Sequence, residues 1–139
     1  MTQKDKDLLF KELSARHPYG VKLQVRLDYG DNEHKEGTYI ADIEAITSYN
    51  IECTYYDTNM HGMARDWTFT YEEVKPYLCL MSSMTDEERK DFYHNRIQYD
   101  GDMFASESGD IDWLNAHHFD YRGLIEKGLA LEAPEGMYK

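Results

Sequence analysis

The chain has 139 residues, 41% hydrophobic and 14% aromatic, with 15 basic against 27 acidic side chains and a net charge of −12. That length suits one compact domain over residues 1–139, and the apolar content excludes a disordered chain. So acidic a surface repels a phosphate backbone, which disfavours ordinary DNA or RNA binding, and no apolar run is long enough to span a membrane.

Residues 2–17 open the chain with a helical pattern, in which Leu8, Leu9, Leu13 and Phe10 supply the apolar stripe. Pro18 and Gly20 then end it. The period changes to two over 21–27, where Val21, Leu23, Val25 and Leu27 point one way and Lys22, Gln24 and Arg26 the other. This is the pattern of a half-buried strand. A polar turn over 29–37 leads to a second strand over 38–49, apolar on both faces in places, as in a long bent strand. Alternation returns over 50–56, and again over 65–71 with Trp67 and Phe69 on one face. Four strands with short turns make an antiparallel meander. A short helical turn limited by Pro76 follows. Thr85 and Glu88 then fit a capping box opening a helix of about ten residues. Residues 98–110 are acidic and rich in glycine and serine, the composition of a loop.

The expected architecture is α+β. An N-terminal helix precedes a four- to five-stranded antiparallel meander, curled into a small SH3-like or Sm-like barrel, and two or three short helices close the C-terminus. Helix and sheet occupy 1–80, and the helical part 81–139.

Polar chemistry concentrates near the C-terminus in Trp113, Asn115, His117, His118, Asp120, Tyr121 and Arg122. Helix punctuation accounts for much of it. Asp110 or Asp112 caps a helix through His117, Asp120 caps a second, and Gly128 stands at the left-handed C-cap with Leu129 behind it. Adjacent histidines on a helix diverge by about 100°, whereas a helical zinc pair needs spacing i, i+4. No metal or other cofactor is expected. The acidic run at 99–112 fails the EF-hand template, with Ala105 where glycine belongs and Ile111 where the glutamate belongs. No GxSxG elbow, P-loop or dinucleotide glycine pattern occurs, so no catalytic residue is assigned. Cys53 and Cys79 are far apart and in no CxxC arrangement; they read as reduced packing residues of a cytoplasmic protein without a signal peptide.

The stretches EEVKPYLCLMSSMTDEER (72–89) and WLNAHHFDYRGLIEKGLALEAPEGMYK (113–139) resemble an uncharacterised family of small proteins from gut Bacteroides genomes, their phages and mobile elements. The resemblance implies a cytosolic accessory protein and brings no activity, cofactor or catalytic residue. The first expectation is a non-enzymatic module that binds another protein through the seven residues from Trp113 to Arg122, since Trp, Tyr and Arg dominate binding hot spots. A second is a phage-type acidic inhibitor mimicking DNA. A third is a metal-dependent hydrolase built on His117, His118 and Asp120.

Overall fold

The computed structural model describes residues 1–32, 34–57, 62–98 and 103–138, the side chains of 95–98 and 103–108 excepted. Helix α1 (Gln3–Arg16) starts at a capping box: the Thr2 hydroxyl accepts from Asp5 N at 3.1 Å while the Asp5 carboxylate accepts from Thr2 N at 3.2 Å. Two of the orphan amides of the first turn are thereby satisfied. The buried face is Leu9, Glu12, Leu13 and Arg16. That spacing of i, i+3, i+4, i+7 is one helical face, half of it ionic. Phe10, expected in the apolar stripe, is exposed and packs edge-on against Tyr71.

Strands β1 (Lys22–Leu27), β2 (Gly37–Ile46), β3 (Asn50–Asp57) and β4 (Met63–Thr70) form the antiparallel meander. The two-faced apolar pattern of β2 is a bulge. Ile43 pairs with Cys53 and Ala45 with Glu52, so Glu44 is an extra residue. One insertion reverses the side-chain alternation, and Ile43 and Ile46 therefore both reach the core side despite their odd spacing.

After a 3-10 turn (Tyr71–Glu73), residues expected to be helical instead form β5 (Val74–Leu80), antiparallel to β1 and pairing Pro76 with Leu23. Helices α2 (Asp86–Gln98) and α3 (Met103–Ala116) come next. The expected loop at 98–110 is thus corrected: residue 98 ends α2, residues 103–110 are helical, and 99–102 lie outside the described residues; Asp110 and Asp112, expected to cap the helix, lie within α3. Packing of α3 against α2 overrides the weak helix propensity of glycine and serine. Two-residue strands β6 (Phe119–Asp120) and β7 (Leu131–Glu132) pair with β5 in parallel. Among the described residues the sheet has seven strands in the order β4-β3-β2-β1-β5-β6, with β7 also on β5. It is mixed rather than wholly antiparallel and it is not closed. The fold is α+β, and none of its described helices is long and apolar enough to cross a membrane.

One core lies between α1 and the sheet, from Leu9, Leu13, Leu23 and Val25 through Tyr55 and Phe69 to Leu124 and Leu129 of the C-terminal segment. A smaller cluster of Trp113, Leu114 and Phe119 joins α3 to Phe92 of α2.

Candidate functional site

Glu12 and Arg16, 1% and 0% exposed, lie where α1 meets the C-terminal segment. Arg16 Nε donates to Glu12 Oε2 at 3.0 Å and its Nη2 donates to the carbonyl of Phe119 at 2.6 Å. Arg122 reaches the other carboxylate oxygen: its Nε stands 2.6 Å from Glu12 Oε1, an ion-pair contact too bent for a hydrogen bond. Both guanidinium groups lie over the Tyr121 ring, 5.2 and 5.4 Å from its centroid. One buried carboxylate thus pairs with two cations, Arg16 of its own helix and Arg122 of the C-terminal segment. A buried charge without such partners is heavily penalised, so this pairing determines how the C-terminal segment sits.

Asp120 is buried and fully engaged, its carboxylate accepting from Leu124 N at 2.8 Å and Ile125 N at 2.9 Å. The expected second helix is a single turn. It closes with Gly128 N to Ile125 O and Leu129 N to Leu124 O, with Gly128 at φ +76°. This is a Schellman cap, and Leu124 and Leu129 share the core below it.

The histidines point to different partners. His117 Nδ1 donates to the Trp113 carbonyl at 2.8 Å, and its ring stacks on Trp113 at 3.9 Å. Trp113 Nε1 donates to Asp91 of α2 at 2.9 Å. His118 has left helical geometry for φ +62°; its ring is 6% exposed and stacks on Tyr138 at 3.7 Å. Burial, with Arg16 and His117 nearby, pushes its pKa down to about 4. The Tyr138 hydroxyl donates to Tyr77 O at 2.6 Å and accepts from Lys22 N at 3.0 Å, tying the chain end to β1 and β5. Asn115 is buried and accepts from the Tyr121 hydroxyl at 2.9 Å.

Trp113, Asn115, His118 and Asp120 are therefore interior, and cannot present a contact surface; His117, Tyr121 and Arg122 keep part of theirs in solvent. His117, His118 and Asp120 do not converge on one centre. Among the described residues no three His, Cys, Asp or Glu side chains are placed to hold a metal ion. Glu12 and Arg16 went unnoticed in the sequence, although their i, i+4 spacing on the face of Leu9 and Leu13 marks them. Cys53 and Cys79 are free thiols, and burial pushes the pKa of Cys53 up to about 12.

A cleft of about 280 Å³ opens between the end of β5, the start of α2 and the C-terminal turn, lined by Cys79, Ser83, Glu88, Glu132 and Tyr138. Glu88 is occupied there, capping Thr85 N at 3.0 Å.

The other face of the sheet carries different chemistry. Ile40 and Tyr56 are 44% and 39% exposed there. Beside them, Glu44, Glu52 and Asp66 occupy adjacent strands. The Thr54 hydroxyl donates to Glu44 and also lies 3.0 Å from Asp66, so one proton serves two carboxylates. Comparison with known protein families, characterised proteins and solved structures returns no match.

Proposed function

We propose that the protein is a non-enzymatic interaction module whose partner is another protein. The observation that carries this reading is the outer face of β2–β4, where Ile40 and Tyr56 stand in solvent within a field of carboxylates. Aromatic and aliphatic anchors rimmed by charge are the composition of a contact surface. The contact surface moves here from the Trp113–Arg122 segment, whose interior side chains are occupied within the chain. The meander, with its bulged β2 and β5 returned beside β1, is read as an SH3-like barrel left open at β4. Its setting, following the resemblance of its C-terminal half, is a cytosolic accessory protein of phage or mobile-element origin.

The test uses the intact protein as bait in extract from its host, beside an Ile40→Glu, Tyr56→Ala variant with an unchanged melting temperature. A partner held by the wild type and released by the variant supports the reading. Equal retention by both proteins contradicts it.

The second reading, an acidic DNA mimic, draws on Glu44, Glu52 and Asp66 lying side by side on strands about 4.8 Å apart. It requires the protein to compete with duplex DNA for a DNA-binding protein, and competition lost in Glu52→Lys, Asp66→Lys would support it. The hydrolase reading has no comparable support, because His117 and His118 stack on different aromatic rings.

A further inference from the structure

Residues 134–138 run from β7 back to His118 and β1, and few bonds hold them there. Ala133 N donates to Leu78 O at 2.8 Å. Beyond it, among the described residues, the hydrogen bonds to the sheet are those of the Tyr138 hydroxyl, with Tyr77 O and Lys22 N. The Tyr138 ring covers the His118 ring at 3.7 Å. This strap also forms one wall of the 280 Å³ cleft, whose other wall carries Cys79, Leu80 and Phe119.

The imidazole beneath Tyr138 has no place for a second proton. His118 is 6% exposed, and its Nδ1 is buried without a hydrogen-bond partner among the described residues. A neutral ring can keep its proton on Nε2, whereas an imidazolium carries N–H on both nitrogens. Protonation therefore leaves a buried donor at Nδ1 with nothing to accept it. The groups around the ring do not help. Arg16 of α1 and His117 oppose a positive charge. Tyr138 brings a phenol that burial keeps neutral, and Cys79 of β5 brings its backbone N–H, given to His118 O at 2.7 Å. The carboxylates behind them, Glu12 and Asp42, are engaged by Arg16 and Lys22.

We infer that residues 134–138 are an acid-released latch: protonation of His118 expels the Tyr138 ring and opens the cleft while the sheet stays folded. The strap is the part that moves, because the backbone of His118 is fixed by bonds to Asn115 O and Cys79 N and leads into the buried Phe119. Once uncovered, the imidazole returns from about 4 toward its ordinary 6.5. The closed strap is thus fully favoured above pH 6.5, and loses a factor approaching about 300 against the open one as pH falls below 4.

The test follows the full chain, with 13C-labelled tyrosine and histidine rings, by NMR from pH 7 to pH 4. The Tyr138 ring should leave its stacked position with the same midpoint as the His118 ring, while β1 and β3 amides keep their folded shifts. Tyr138→Phe keeps the stack and loses both hydrogen bonds. Its midpoint should rise by about one pH unit, since a tenfold weaker closed state needs tenfold less acid. His118→Asn, which accepts the left-handed backbone, should show no such midpoint. A Tyr138 ring that stays stacked until the β1 amides unfold with it overturns the latch. So does a midpoint unmoved by Tyr138→Phe or retained in His118→Asn.

Discussion

Glu12 is the residue on which the C-terminal half of the molecule depends. It pairs at once with Arg16, inside the protein, and with the partly exposed Arg122, and Arg16 Nη1 already lacks an acceptor among the described residues. Glu12→Gln leaves the buried Arg16 and the partly exposed Arg122 against a neutral group. A loss of about 3–5 kcal/mol follows in urea unfolding, the range for breaking one side of a buried pair. A loss below about 1 kcal/mol would show that the cations find other partners. His118 gives a pH signature. Its pKa falls from the ordinary 6.5 to about 4 on folding, so the unfolded chain takes up a proton that the folded one refuses. Stability from this group is complete above pH 6.5, falls as pH drops, and is gone near pH 4. At 1.36 kcal/mol per unit the total is about 3 kcal/mol. Asparagine also tolerates the left-handed backbone and carries no titrating proton. The stability difference between wild type and His118→Asn should therefore shrink by about 2 kcal/mol or more between pH 7 and pH 4.5. A difference independent of pH would mean that the ring stays hydrated.

Single elements were legible where one local signal decides them. The capping box of Thr85 and Glu88, the alternating strands β1, β3 and β4, and the glycine at the Schellman cap follow from residue type and spacing alone. What went unread needed knowledge of a neighbour. Proline at 76 argues against a strand, yet β5 tolerates it opposite Leu23. Gly109 and the serines near it argue against α3, yet α2 supplies a surface for that helix to pack on. In the site, the caps of Asp120 and Gly128 could be read, and Arg16 stands at i+4 from Glu12, whereas Arg122, its second partner, could not be read because it lies 110 residues further along the chain. The turn at 124–128 is built from two devices, so both should be sensitive. Asp120→Ala removes two buried acceptors and Gly128→Ala places a β-carbon at φ +76°. Each should cost about 1–2 kcal/mol in thermal unfolding. No change in either variant would leave the turn without its assigned supports.

At the scale of the whole molecule, the sheet is shared between two duties. One face and α1 enclose the core, which also takes in Leu124 and Leu129 of the C-terminal segment; the other face holds Ile40, Tyr56, Glu44, Glu52 and Asp66 in solvent. The C-terminal polar cluster belongs to the first duty. Its aspartate caps a turn, its histidines pack on Trp113 and Tyr138, and its arginine neutralises a carboxylate of α1. A segment bound in this way should not open on its own. Native-state hydrogen exchange tests this most directly, by comparing the amides of Leu124, Ile125 and Leu129 with core amides of β1 and β3. The account predicts that all exchange with one opening free energy, equal to that of global unfolding, and that Glu12→Gln separates the two groups. Exchange of the C-terminal amides through a much cheaper opening in the wild type would contradict it, and would return the cluster to the surface as a mobile element free to bind.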